Sequence, residues 1–142
     1  MIKDVLITNL NIIDTLGGEV MHAMKNSDNG FESFGEAYFS HIDKDAIKAW
    51  KRHKKMTLNL IVPSGKIRFV LFDDRDTLKT KFQEVTISRD NYCRLTVPPM
   101  IWMGFQGLSD NGSMLLNIAS IEHDPMECEK KNIKQIEFDW NR

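Results

Sequence analysis

Apolar and polar positions alternate in short runs along most of the chain. The pattern is sharpest in Lys66-Ile67-Arg68-Phe69-Val70-Leu71-Phe72, where Ile67, Phe69 and Leu71 share one face of a strand and Arg68 and Val70 the other. The first face is core. Arg68 then points to water or into a polar cavity, with water the simpler reading. Similar runs occur at Val5–Ile7, Glu36–Ile42, Met56–Val62, Phe82–Ser88, Tyr92–Val97 and Met114–Ile121. Between them lie Gly17-Gly18, the polar stretch Lys25–Gly30, Pro63-Ser64-Gly65, Pro98-Pro99 and Asp110-Asn111-Gly112, all turn chemistry. No long segment keeps a helical period. Asp43–Ile47 is expected to form one helical turn and Pro125–Lys131 a short helix, neither of which defines the fold. Regular short strands with turn signals predict an all-β sandwich or barrel.

Length and composition narrow the classes. The chain has 142 residues, 42% hydrophobic and 27% charged, enough for a single domain over residues 1–142 with its own core. Its formal net charge is −1, from 19 basic and 20 acidic residues, so no global field favours nucleic acid or an anionic membrane. Cys93 and Cys128 are too few and too far apart for a disulfide framework or a zinc site, and free thiols suit a reducing compartment. The first residues alternate instead of forming a basic segment followed by an apolar run, so no signal peptide is expected. No apolar stretch is long enough to span a bilayer as a helix. The expectation is a cytoplasmic protein without a membrane or nucleic-acid partner.

Against this even background, Trp50-Lys51-Arg52-His53-Lys54-Lys55 is a concentrated exception. If the segment is extended, Lys51, His53 and Lys55 share one face, and Trp50, Arg52 and Lys54 the other. The flanking ammonium groups disfavour a protonated imidazole and keep a neutral base available. The same cations could hold a phosphate-bearing substrate and stabilise an oxyanion formed when that base removes a proton next to a ketone. The competing reading is a solvent-facing basic strand end with an incidental histidine.

Other candidates carry less. His22, His41 and His123 do not form the paired His-x-His with downstream glutamate of metal-binding cupins, so no metal and no cofactor is expected. His123-Asp124-Pro125 reads as a turn in preference to a carboxylate donor. Trp50, Trp102 and Phe105 are aromatic residues of a kind that usually pack in a core, with Trp102 the candidate for stacking on a ligand because it follows Pro98-Pro99. No P-loop or glycine-rich dinucleotide turn is present.

With His53 ahead of Met56–Val62, the Pro63-Ser64-Gly65 turn and the strand to Asp74, the order of elements resembles the dTDP-4-dehydrorhamnose 3,5-epimerase family. Leu95-Thr96-Val97-Pro98-Pro99, followed by Gly104-Phe105 and Leu108-Ser109-Asp110, is similar to that family's proline-bearing strand end, Gly-Phe pair and following Leu-Ser. Asp14-Thr15-Leu16-Gly17-Gly18 resembles its early Asp-x-Arg-Gly segment. The resemblance runs from about Asp14 to Trp140 and implies a cupin-type jelly roll, a double-stranded β-helix barrel, that is a homodimer.

It also implies that His53 removes a proton from the carbon beside the C4 ketone of a nucleotide-linked sugar. Lys51, Lys55, Arg68, Trp102 and Asn117 are then the substrate-binding candidates. The family's tyrosine acid matches Asn117, its strand-end histidine matches Met103, and its arginine before the catalytic histidine falls near Trp50, with Lys48, Lys51 and Arg52 as stand-ins. The family's carboxylate partner for the histidine, a C-terminal aspartate, has no expected counterpart, and water, Tyr38 or Tyr92 are the candidates for returning the proton. The implied function is epimerisation or isomerisation of a nucleotide-linked 4-keto sugar for surface polysaccharide. The alternatives are a noncatalytic nucleotide-sugar or glycan-binding cupin and a β domain that binds a protein partner.

Overall fold

The computed structural model describes residues 1–142. In chain order the strands are β1 (Leu6–Asn9), β2 (Ile12–Thr15), β3 (Gly18–Met21), β4 (Glu36–Ile42), β5 (Ile47–His53), β6 (Leu58–Ser64), β7 (Lys66–Asp73), β8 (Lys81–Ser88), β9 (Cys93–Val97), β10 (Trp102–Gly107), β11 (Ser113–Ala119) and β12 (Cys128–Lys130). Two antiparallel five-stranded sheets, ordered β1-β9-β6-β11-β4 and β12-β5-β10-β7-β8, face each other as a cupin-type jelly roll. The β2–β3 hairpin stands apart and turns at Leu16-Gly17, where Gly17 takes a φ of 80°. That positive φ is accessible to glycine at little cost.

The alternation of β7 decides the layering. Ile67, Phe69 and Leu71, each with 0% exposure, enter the core between the sheets, where Leu58, Leu60, Val62, Leu95, Val97, Met103 and Leu115 meet them. Val70 and Arg68 point outward, but not to water. The C-terminal segment crosses the outside of this sheet, and Ile136 and Trp140 pack with Trp50, Val70 and Trp102 in a second apolar cluster. Arg68 lies beneath that segment: its Nε donates to Glu84 at 3.0 Å, and its Nη1 donates to the Trp140 and Arg142 carbonyls, both at 3.2 Å. Its guanidinium also sits 5.2 Å from the Phe138 ring. The chain's own C-terminus therefore takes the place expected for solvent.

Local structure departs from the sequence expectation around β5. Asp43–Ile47 forms a turn and the start of a strand instead of a helical turn, with Asp45 at a φ of 63°. Pro125–Lys131 divides into a 3-10 turn at Pro125–Glu127, capped by Asp124 accepting from the Met126 N–H, and the edge strand β12.

Phe69 is fully enclosed and stacks against Phe105 at 5.8 Å between ring centroids. Phe69→Ala is expected to cost about 3–5 kcal/mol, because the cavity term adds to the lost transfer energy; urea unfolding of the two proteins checks it.

Candidate active site

The two sheets enclose a cavity of about 470 Å³. Tyr38, Ser40, Leu58, Leu60, Leu115 and Asn117 line it from one sheet, and Lys48, Lys51, His53, Met103, Phe105 and Lys130 from the other. Edge strands β4 and β12 contribute Tyr38, Ser40 and Lys130, and the apolar lining comes largely from the inner strands. A volume of this size suits a small ligand held by apolar walls with a few polar groups.

A register irregularity in β5 sets which basic side chains enter. Met103 pairs with Lys51 and Phe105 with Lys48, so β5 spends one residue more than β10 over the same length. In a regular strand, residues three apart face opposite ways; the extra residue brings Lys48 and Lys51 to the same face. Beyond it, the Trp50 side chain packs in the outer cluster and Arg52 reaches Asp74 and Glu129 on that side, while Lys51 and His53 line the cavity. Lys130 is the register partner of Lys51 across β12 and lines the same cavity. The chain's ion pairs use Lys44, Arg52, Arg68, Arg75, Arg89, Arg94, Arg142, His41 and His53, and so leave Lys48, Lys51 and Lys130 without carboxylate partners.

His53 does have a carboxylate partner. Its Nδ1 bonds to Glu127 Oε1, and the ring's side chain is 11% exposed. Glu127 Oε2 faces the bend after β5, where the N–H groups of Lys54, Lys55 and Met56 donate to it at 3.2, 3.1 and 3.3 Å. Burial raises the Glu127 carboxyl, but the hydrogen bonds from His53 and from the Lys55 and Met56 N–H groups outweigh it and hold the carboxyl below its ordinary value. An ionised Glu127 makes Nδ1 the donor and leaves Nε2 as the lone-pair nitrogen. The immediate neighbour of the ring is thus an anion, not the ammonium pair expected from the sequence. The sequence signal for Glu127 was weak, since it lies in a segment read as a short helix with no motif around it.

Across the cavity, Tyr38 on β4 is the register partner of Asn117 on β11, and Asn117 Nδ2 donates to the Tyr38 hydroxyl at 2.9 Å. Asn117 is 6% exposed and its Oδ1 has no partner in the protein. A phenol therefore does reach the cavity at this position, from the neighbouring strand. Tyr92 instead donates to the His22 carbonyl at 2.7 Å, away from the cavity.

Of the residues singled out in the sequence, His53, Lys51 and Asn117 come together here. Lys55, Arg68 and Trp102 do not. The strand ends at His53, so the expected alternation fails at Lys55, whose side chain is exposed and whose backbone alone contributes. Arg68 is occupied beneath the C-terminal segment. Trp102 is 1% exposed on the outer face, where its Nε1 donates to Asp74 Oδ2 at 3.2 Å. Nor does Arg52 line the cavity as a stand-in for an arginine there.

Glu127→Gln keeps the shape but replaces one acceptor oxygen with a donor amide. Because the folded carboxyl lies below its unfolded value, ordinarily 4.5, its contribution is full above that value and is lost as pH falls through the lowered one. The variant is therefore expected to be less stable than the wild type at neutral pH, with the gap closing in acid. Urea unfolding of both proteins as a function of pH measures this.

Comparison with known proteins agrees with the architecture. The family described as "FdtA: WxcM-like, C-terminal" matches residues 3–136. A dTDP sugar isomerase from Desulfovibrio desulfuricans G20 is 35% identical and superposes with a TM-score of 0.88 over 93% of this chain and 86% of that one. Agl13 of Haloferax volcanii, described as a probable low-salt glycan biosynthesis epimerase, is 25% identical over 99% of this chain and 95% of its own. A dTDP-4-dehydrorhamnose 3,5-epimerase from Sulfolobus tokodaii, 17% identical, shares the fold with a TM-score of 0.81 over 94% of this chain and 80% of its own. By sequence and by architecture, the chain belongs to the WxcM-like, C-terminal (FdtA) family.

Proposed function

We propose that this protein is an epimerase or isomerase of a nucleotide-linked 4-keto sugar, serving polysaccharide biosynthesis in the cytoplasm. The observation that carries the reading is His53, backed by Glu127, lining a cavity rimmed by unpaired lysines. Similarity to a dTDP sugar isomerase and to a probable glycan biosynthesis epimerase supports the substrate class.

In this reading His53 Nε2 takes the proton from the carbon next to the ketone. The C–H electron pair moves into the new C=C bond, and the carbonyl oxygen becomes the enolate oxygen. The imidazolium that results donates from Nδ1 to the Glu127 carboxylate, which stabilises its charge without taking the proton. Lys48, Lys51 and Lys130 supply positive charge for the diphosphate and the enolate. Inversion requires a proton delivered to the opposite face. Tyr38, on the facing sheet, accepts a hydrogen bond from Asn117 and so keeps its own O–H hydrogen free to donate. The phenolate left behind is stabilised by the same amide. An isomerisation that carries the carbonyl to the adjacent carbon along one face would use His53 without Tyr38.

The decisive measurement is deuterium incorporation into a nucleotide-linked 4-keto-6-deoxy sugar in heavy water. Wild type is expected to exchange the proton beside the ketone, and His53→Ala to lose at least about 100-fold of that rate. Tyr38→Phe is expected to keep exchange while losing inversion; unimpaired turnover in that variant would assign the one-face isomerisation instead. Exchange at equal rates in wild type and His53→Ala would remove His53 as the base. No exchange in wild type, together with a raised Tm on adding the nucleotide sugar, would favour the noncatalytic binding reading.

The chain is also read as a homodimer. Phe39 on edge strand β4 is 63% exposed and nearby Phe34 66%, and Ile13, Leu16 and Val20 of the β2–β3 hairpin are exposed as well. A second copy would cover such apolar surface. Sedimentation equilibrium is expected to return twice the 16.5 kDa chain mass, and a monomer at micromolar concentration would contradict it.

A further inference from the structure

Arg52 immediately precedes His53 but projects to the opposite side of β5, on the outer face of its sheet. Its Nη2 donates to Glu129 on β12 at 2.6 Å, and its Nη1 donates to Asp74, just past β7, at 3.2 Å. Between those carboxylates the guanidinium lies 4.5 Å from the Trp102 ring centroid on β10. Trp102 Nε1 donates to the other oxygen of Asp74 at 3.2 Å, so the indole and the guanidinium share one carboxylate. In the sheet order β12-β5-β10-β7, this side chain spans the edge strand, its own strand, the next strand and the end of the fourth.

The strand at the outer end of this span needs such a tie. β12 has three residues, one neighbour and only the pairs Cys128–His53, Glu129–Arg52 and Lys130–Lys51. Three-residue edge strands are marginal by themselves. Yet β12 delivers Glu127 immediately before it and Lys130 at its end. Backbone bonds set its height along β5: Lys54 N–H to the Glu127 carbonyl at 2.8 Å, and the reciprocal Trp50–Lys131 pair, both 3.0 Å. Arg52 adds the lateral anchor, drawing β12 toward the far strands by charge and by stacking. With two carboxylates on it and only 16% of its side chain exposed, its own charge is already neutralised.

We propose that Arg52 is a positioning residue: by anchoring β12 through Glu129, it holds Glu127 against His53, and it does not bind substrate phosphate. The consequence for turnover rests on the reading of His53 as the base, but the geometry can be measured without substrate. The test is the His53 Nδ1–H resonance, observed by NMR in the full chain. A carboxylate that drifts from the ring weakens the hydrogen bond it accepts and opens that proton to exchange with water. Arg52→Met and Glu129→Gln are therefore each expected to move the Nδ1–H resonance upfield and to speed its exchange with solvent several-fold. The double variant should change no further than Arg52→Met, because both changes cut one linkage.

An unchanged Nδ1–H resonance and exchange rate in folded Arg52→Met and Glu129→Gln would overturn the proposal, and so would additive changes in the double variant. Should Arg52→Met not fold, Glu129→Gln decides by the same criterion, since Glu129 is 35% exposed and tolerates an isosteric change better. Failure of the catalytic reading looks different: the wild type would exchange no keto sugar while the His53 Nδ1–H resonance still responded to both variants.

Discussion

A carboxylate that is 5% exposed must be satisfied where it lies, and Glu127 constrains everything around it. One oxygen bonds to the imidazole and the other takes up N–H groups at the bend after β5. An unpaired buried charge would cost several kcal/mol, which is why the bend, the 3-10 turn and β12 have to arrive together. His53 is fixed in orientation as a by-product of that satisfaction. The ring nitrogen left over is the one the cavity can use.

The same economy governs the two faces of β5. Its irregular register places Lys48 and Lys51 beside the imidazole on the inner face, and it leaves Trp50 and Arg52 for the outer cluster. Charge is thereby sorted. Arg52 and Arg68 are neutralised outside by Glu129, Asp74 and Glu84, while three lysines remain unpaired inside. A basic segment that looks uniform in sequence becomes two populations with different work. The aromatic residues are sorted likewise, Phe105 lining the cavity and Trp50, Trp102, Phe138 and Trp140 forming the outer cladding.

Much of this architecture was legible because period-two alternation is local. Glu36–Ile42 is a strand with the expected bounds, and the inward set Ile67, Phe69 and Leu71 is the core. His53 was conspicuous through its charged neighbours. What could not be read depends on distant parts of the chain meeting. Glu127 is 74 residues from His53 and reaches it only through an edge strand too short to leave a pattern. The fate of Arg68 depends on Trp140 and Arg142, and that of Lys55 on where β5 ends. Tyr38 was one of three candidates for returning the proton, and nothing local separates it from Tyr92, because its place at the cavity depends on β4 lying beside β11, opposite Asn117.

Glu127 holds His53 in the tautomer with hydrogen on Nδ1, which leaves Nε2 bare as the nitrogen for proton abstraction. Histidine-detected ¹H–¹⁵N correlation spectroscopy, recorded above the ring's titration midpoint, reads this directly. A protonated Nδ1 in a strong hydrogen bond and an unprotonated Nε2 are expected, with the pattern lost in Glu127→Gln. A neutral ring carrying its hydrogen on Nε2, indifferent to that substitution, would contradict it.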